Sequence, residues 1–234
     1  MVSDSGAKTW SPAQTVVAAD LQVRERRLQV LLWKRALDPY AGAWSLPGGD
    51  LARGETLEDS IRRHLAAKVD VRELAHLEQL ETRSDPGRNP LRWELATAYL
   101  GLVPADQDPA VPGDTSWHPI DDLPPLAFDH RPIVLAGRER LRAKLSYTNI
   151  GFALAPPAFT ISELRDLYRA ALGHDVSATN LQRVLVRRHL LVPTGARREP
   201  GPSGGRPAAL YGFRTRELEI TDQFAVLRPP PTGG

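Results

Sequence analysis

Gly48-Gly49-Asp50-Leu51-Ala52-Arg53-Gly54-Glu55-Thr56-Leu57-Glu58-Asp59-Ser60-Ile61-Arg62-Arg63-His64-Leu65-Ala66-Ala67-Lys68-Val69-Asp70-Val71 is the stretch that decides how this chain is read. Its paired glycines predict a turn in which backbone amides can approach a ligand closely. Leu57, Ile61 and Leu65 then recur every fourth residue, the apolar stripe of an amphipathic helix from about Thr56 to Lys68. A glycine turn feeding a helix that carries charge on its outer face is the form of a binding loop.

Working outward, Thr15–Ala19 and Gln29–Lys34 are β-branched or aliphatic runs joined by the charged turn Arg24–Arg27, which reads as a hairpin. Ala36–Trp44 reads as a loop. Glu78–Arg83 and Trp93–Leu102 read as strands around the turn-rich Ser84–Pro90, and Ser116–Ile120 as a short strand. A second helix is expected from about Asp129 to Leu145, with Ile133, Leu135, Leu141 and Leu145 on its apolar side and Asp129 placed to cap it. Strands on both sides of one central helix, closed by another helix, predict an α/β sandwich rather than an alternating Rossmann sheet.

Ala155-Pro156-Pro157 marks a seam. Beyond it, Thr160 and Glu163 have capping-box spacing. Leu164, Leu167, Tyr168, Ala171 and Leu172 form a helical stripe that Gly173 ends. A further helix starts near Ser177, with Leu181, Val184 and Leu185 inward and Thr179, Asn180, Arg183 and Arg187 outward. Leu190–Pro193 and Ala209–Arg214 read as strands around a loop rich in Arg, Pro and Gly. Helix, turn, helix and basic hairpin describe a winged helix-turn-helix. The domains are thus residues 13–152 and 153–226, with tails expected to be disordered at 1–12 and 227–234.

Charge follows the same division. Residues 156–234 hold eleven Arg, no Lys and seven Asp or Glu, a net +4 against −2 for the rest of the chain. Six Arg and one Glu lie between Ser177 and Arg206. That asymmetry predicts a polyanion partner for the C-terminal part, double-stranded DNA. On the predicted recognition helix, Thr179, Asn180 and Arg183 are placed to reach base edges, with Asn suited to adenine and Arg to guanine. Arg187, Arg188, Arg197 and Arg198 are expected at phosphates, and Arg206 in a minor groove. The chain has no cysteine, which excludes disulfides, thiolate zinc sites and a Cys nucleophile and fits a cytoplasmic protein. No apolar run approaches the roughly 18 residues of a membrane helix, so no membrane partner is expected.

The opening stretch resembles the Nudix box, G-x5-E-x7-R-E-U-x-E-E-x-G-U with U a bulky aliphatic. Gly49 takes the first Gly, Glu55 the first Glu, Arg63 the Arg, and Leu65 and Val71 the two U positions. The three Glu of R-E-U-x-E-E fall on His64, Ala67 and Lys68, and the late Gly on Asp70. The resemblance implies that Glu55 and Arg63 pair and pin the loop to the helix. It also implies that the three missing Glu would have held the metal of a pyrophosphatase, because magnesium takes oxygen ligands. An imidazole, a methyl and an ammonium stand there instead. No magnesium or other cofactor, no catalytic residue and no efficient hydrolysis are therefore expected. Lys68 is placed to stand where the metal stood and to pair with a phosphate. Arg35, Arg88 and Arg92 are further phosphate candidates, and Trp44 and Trp93 candidate platforms for a base. With Gly48, Gly49, Glu55 and Arg63, the residues Arg35, Trp44, Lys68 and Arg88 form the expected effector site.

Leu126-Ala127-Phe128-Asp129-His130 resembles the segment that closes the Nudix domain of one type of NAD-metabolism regulator. Together with the altered box and the segments Phe159–Leu164 and Leu210–Phe213, it makes the chain resemble the NrtR-type Nudix-related transcriptional regulators from about Ala13 to Arg214. The resemblance implies a Nudix α/β/α sandwich followed by a winged helix. It implies a homodimeric regulator, expected to be a repressor, on a palindromic operator near genes of NAD synthesis or salvage. ADP-ribose or a related nucleotide is the implied effector. Two other readings are a Nudix hydrolase with an appended module, and a DNA-binding protein whose Nudix domain only dimerises.

Overall fold

The computed structural model describes residues 11–199 and 207–222. The chain enters on a twelve-residue strand, β1 (Ala13–Arg24), that turns at Glu25 and Arg26 into β2 (Arg27–Lys34). Two short strands follow, β3 (Trp44–Ser45) and β4 (Gly48–Asp50), then the helix α1 (Leu57–Val69). β5 (His76–Arg83), β6 (Glu94–Leu102) and β7 (Thr115–Pro119) complete a seven-stranded sheet, and α2 (His130–Tyr147) closes it. The path through the sheet runs β3-β2-β1-β6-β5, with β4 on β1 and β7 on β2. β1 runs parallel to β6 from Ala13 to Leu21, and its other edge is shared by β4 at Thr15–Val17 and β2 at Leu21–Arg24.

Period-two alternation assigns the faces of β1. Val17, Ala19, Leu21 and Val23 share a core with Ile133, Val134, Leu141 and Leu145 of α2, while Val16 and Ala18 pack with Ile61, Leu65 and Val69 of α1. The result is an α/β/α sandwich, as expected. Both faces of β1 are buried, which is why its apolar run is nearly continuous. Thr56 caps α1 by accepting from the Asp59 amide at 3.1 Å. Asp129, expected to cap α2, makes no cap hydrogen bond. Its carboxylate is held instead by Arg88, 2.8 Å away. The outer sheet edge is tied to α2 by Glu78, which accepts from Lys144 at 2.8 Å and Arg140 at 3.2 Å.

A buried carboxyl group in the sandwich lacks a hydrogen-bond partner. Asp20 is fully buried, neither carboxyl oxygen has a hydrogen bond, and burial pushes its pKa up to about 7. Gly101 beside it makes room, since a Cβ there would lie 1.9 Å from Asp20 Oδ1. The folded pKa lies above the ordinary aspartate value of 3.8. Folding therefore favours the protonated form, and stability declines as pH rises from about 4 through about 7. Urea unfolding of Asp20→Asn beside wild type should show the variant gaining on wild type between pH 5 and 8. A pH-independent difference would overturn this account.

The C-terminal part is α3 (Ile161–Leu172), α4 (Ala178–Arg187), β8 (Leu191–Arg198) and β9 (Ala208–Phe213). Thr160 and Glu163 form the expected capping box, and Gly173 ends α3 at φ 77°. Phe159 exchanges backbone hydrogen bonds with Tyr211 at 2.9 and 2.8 Å and so adds a third, one-residue strand to the hairpin. The core continues across the Ala155-Pro156-Pro157 seam. Phe152, Phe159, Leu164, Leu167, Leu181 and Leu185 belong to the same core as α2 and β1. Residues 214–222 fold back over the junction, where Asn149 and Glu219 exchange hydrogen bonds and Thr221 donates to the Tyr147 carbonyl.

Candidate functional site

An open cleft of about 720 Å³ lies on the sandwich, between β4, the outer ends of β1 and β2, α1, and the start of α2. It collects most of the expected effector residues: Arg35, Gly48, Gly49, Arg63, Lys68 and Arg88 line it. Trp44 and Glu55 do not.

Gly48 and Gly49 are not a turn. They form β4, paired with Val17 and Val16 of β1. They are glycines because of close approach. A Cβ on Gly48 would lie 2.1 Å from the Val16 carbonyl oxygen, and one on Gly49 2.4 Å from the His64 ring. Below them, Arg63 donates to both oxygens of Glu55, at 2.5 and 2.8 Å, and to the Asp50 carbonyl at 3.2 Å. The Ala52 amide also donates to Glu55. Held first by the Arg63 hydrogen bonds, Glu55 has its pKa lowered to about 2. The pair pins loop to helix as the resemblance implied, so Glu55 acts through Arg63 rather than in the cleft.

His64 and Lys68 point inward one helical turn apart. His64 Nε2 lies 3.0 Å from the Asp50 carbonyl, and burial lowers its pKa. Lys68 Nζ donates to the Gly48 carbonyl at 2.6 Å and sits 4.3 Å from the Trp33 ring centroid. Ala67 is exposed. This donor set does not suit magnesium, which needs several oxygens. Three carboxylates line the cleft: Asp50 is taken by Arg92, Glu94 by Arg88, Arg92 and Asn89, and Asp38 acts on Arg35 through its charge without an ion-pair contact. Among the described residues, no three His, Cys, Asp or Glu are grouped to hold a metal ion.

Arg88 differs from its expected role as a phosphate ligand. Its side chain is 2% exposed and forms ion pairs with Glu94 and with Asp129 at 2.8 Å. It is the hub of a buried network that joins the cleft wall to the start of α2. Arg92, with Asp50 and Glu94 as partners, bridges the cleft mouth.

Arg35 and Lys68 are different. Among the described residues, neither lies within 4.0 Å of a carboxylate. Arg35 donates to the carbonyls of Pro39 and Leu37 and lies 4.7 Å from the Phe128 centroid. Burial first, and then the nearby Arg35 charge, lower the pKa of Lys68. Two cations without ion-pair partners, close enough to repel, share one half-buried cleft. An anion between them would relieve both.

The aromatic wall is Trp33 and Phe128, not Trp44. Leu31, Trp33 and Arg35 alternate onto one face of the sheet. Trp44 pairs in register with Lys34 and faces the other way, against His118 at 4.4 Å. Trp93 is exposed outside the cleft lining. His130, missed in the sequence, lines the cleft floor. Its Nδ1 accepts from the Leu46 amide at 3.0 Å, and burial pushes its pKa down to about 3, so it is neutral.

On the C-terminal part, α4 buries Leu181 and Leu185 and exposes Thr179, Asn180, Arg183 and Arg187. Asn180 Oδ1 accepts from Arg183 at 2.8 Å, which orients both side chains outward from the helix. Arg197 is exposed on the wing. Two other expected phosphate contacts are engaged elsewhere. Arg198 is ion-paired with Glu163 of the capping box, and Arg188 turns back to the Ser146 carbonyl and Asp222. Arg206 lies outside the described residues.

A NUDIX domain model matches residues 14–136, and the NrtR DNA-binding winged helix domain matches residues 151–213. The ADPR responsive transcriptional repressor NtrR of Acinetobacter baylyi is 32% identical over 220 residues, covering 90% of this chain and 85% of the relative. The crystal structure of Shewanella oneidensis NrtR complexed with a 27mer DNA is 33% identical, with TM-score 0.76 over 86% of this chain and 93% of that one. The NUDIX domain of the same protein complexed with ADP ribose is also 33% identical, with TM-score 0.51, covering 56% of this chain and 90% of that one. Both halves in this order, with full-length similarity to a repressor, mean that the chain belongs to the NrtR family of Nudix-related transcriptional regulators.

Proposed function

We propose that the chain is a DNA-binding transcriptional repressor of NAD-related genes, released from its operator by ADP-ribose held in the cleft. The observation that carries the effector half is the pair Arg35 and Lys68, two cations that form no ion pair among the described residues and face one cleft. A diphosphate supplies the charge that the pair lacks, and Trp33 and Phe128 supply apolar faces for the rest of a nucleotide. Lys68 takes the role a metal would play, so binding needs no magnesium and the ligand is sensed rather than hydrolysed. ADP ribose, the ligand in the complex of the Shewanella oneidensis NUDIX domain, fits this chemistry.

Two results check that half by calorimetry. Lys68→Met should weaken ADP-ribose by about tenfold or more, the scale of a lost charged hydrogen bond. Excess chelator should leave wild-type affinity unchanged. Affinity that depends on magnesium would overturn the metal-free reading.

The DNA half rests on α4. As a homodimer, the chain would present two recognition helices to half-sites about 34 Å, or a multiple of that, apart. The experiment is a gel shift on the DNA upstream of the chain's own gene, with and without ADP-ribose. Arg183→Ala should cost about 1–3 kcal/mol and relax sequence preference, whereas Arg197→Ala should weaken specific and non-specific DNA alike. Unchanged operator affinity in Arg183→Ala would remove that residue from base reading.

A further inference from the structure

The cleft and the recognition helix are joined by a single rigid element. α2 spans 18 residues, about 27 Å of helix. Its first turn belongs to the cleft. Asp129, just before it, is paired with buried Arg88, and His130 accepts from the Leu46 amide beside β4. Phe128, under the Arg35 guanidinium, has a left-handed backbone at φ 52°, a conformation an aromatic residue adopts only where its surroundings hold it.

The last two turns of α2 belong to the winged helix. Arg142 donates to the Ala171 carbonyl of α3 at 3.2 Å. Arg188, at the C-cap of α4, donates to the Ser146 carbonyl at 2.9 Å and to Asp222 at 2.8 Å. Its side chain is 16% exposed. The Arg188 guanidinium therefore clasps the recognition helix to the end of α2 instead of facing outward with Arg183 and Arg187.

We propose that α2 couples the cleft to DNA, and that Arg188 is a positioning residue transmitting the placement of α2 to the recognition helix. An anion that draws Arg35 off the Phe128 ring changes what holds the first turn. A helix moves as a unit, so the change appears at Ser146, where Arg188 passes it to α4. Coupling of this kind is a ratio of operator affinities without and with effector, and linkage requires the same ratio of effector affinities without and with operator.

This inference rests on the proposed function, and the test separates the two. Operator affinity of the full chain is measured with and without saturating ADP-ribose, across a salt series, for wild type, Arg188→Met and Asp222→Asn. The Met side chain keeps the buried stem and removes both hydrogen bonds. Asp222→Asn weakens the clasp more gently, and carries the comparison if Arg188→Met does not fold, as judged by its ADP-ribose affinity without DNA. The expected result is a wild-type ratio that falls by at least about fivefold in the variants, with the salt slope unchanged. A ratio retained within twofold overturns the inference. So does a slope smaller by about 0.9 with the ratio intact, because that marks Arg188 as a phosphate contact. A wild type that binds operator and ADP-ribose but shows no ratio at all overturns the proposed function itself, and this inference with it.

Discussion

Arg88→Ala lowers folding stability by about 3–5 kcal/mol, at the lower end of that range. The guanidinium is 2% exposed and neutralises two carboxylates, Glu94 at 6% and Asp129 at 24% side-chain exposure. Removing it does not return those charges to water. Glu94 keeps Arg92 and Asn89 as partners, which moderates the loss. Asp129 loses its ion pair at the start of α2, and a cavity opens beside the cleft. For a chain of this length the midpoint of thermal unfolding should drop by roughly 6–12 °C. Replacing the whole network with apolar residues would be milder, because the cost lies in the stranded charge rather than in the missing attraction. Denaturant unfolding checks the value. A loss below about 1 kcal/mol would mean that solvent reaches Asp129 and Glu94, and that Arg88 is not the hub of the cleft wall.

Phe152→Ala should cost about 3–5 kcal/mol, and both parts of the chain should feel it. The side chain is 1% exposed, in the 3-10 turn between α2 and α3, within the one core that contains residues of β1, α2, α3 and α4. If that core is one cooperative body, calorimetry shows a single transition in wild type and a single, lower one in the variant. Two resolved transitions, with only the later residues destabilised, would show that the halves fold independently despite their shared core.

Most of the sandwich and the winged helix could be read from periodicity, because buried faces impose it. Leu57, Ile61 and Leu65 marked α1, and Thr160 with Glu163 marked the start of α3. The capping box succeeded where the Asp129 cap failed for a physical reason. A cap is local, but Asp129 had a better partner 41 residues away in Arg88. Long-range pairing also gave Arg88, Arg188 and Arg198 carboxylate partners that were not expected, since composition counts arginines and does not say which carboxylates reach them. Trp33 in place of Trp44 was within reach, because Leu31, Trp33 and Arg35 alternate onto one face. Gly48 and Gly49 were read as a turn open to a ligand, whereas they form a strand in close approach to β1 and His64. The strand was hidden because what they approach is β1, some thirty residues earlier. Asp20 gave no signal, since an acidic residue in an apolar run reads as an exposed position.

Lys68 carries its charge on the chain itself. A bound ion must be present in solution at sufficient concentration, and its occupancy varies with everything that competes for it. An ammonium anchored to the Gly48 carbonyl is there whenever the protein is folded. A metal-dependent pocket answers a conjunction, nucleotide and cation together. On the function proposed above, a pocket with a tethered cation answers one question only, and its dose–response curve should stay in place when divalent ions rise or fall.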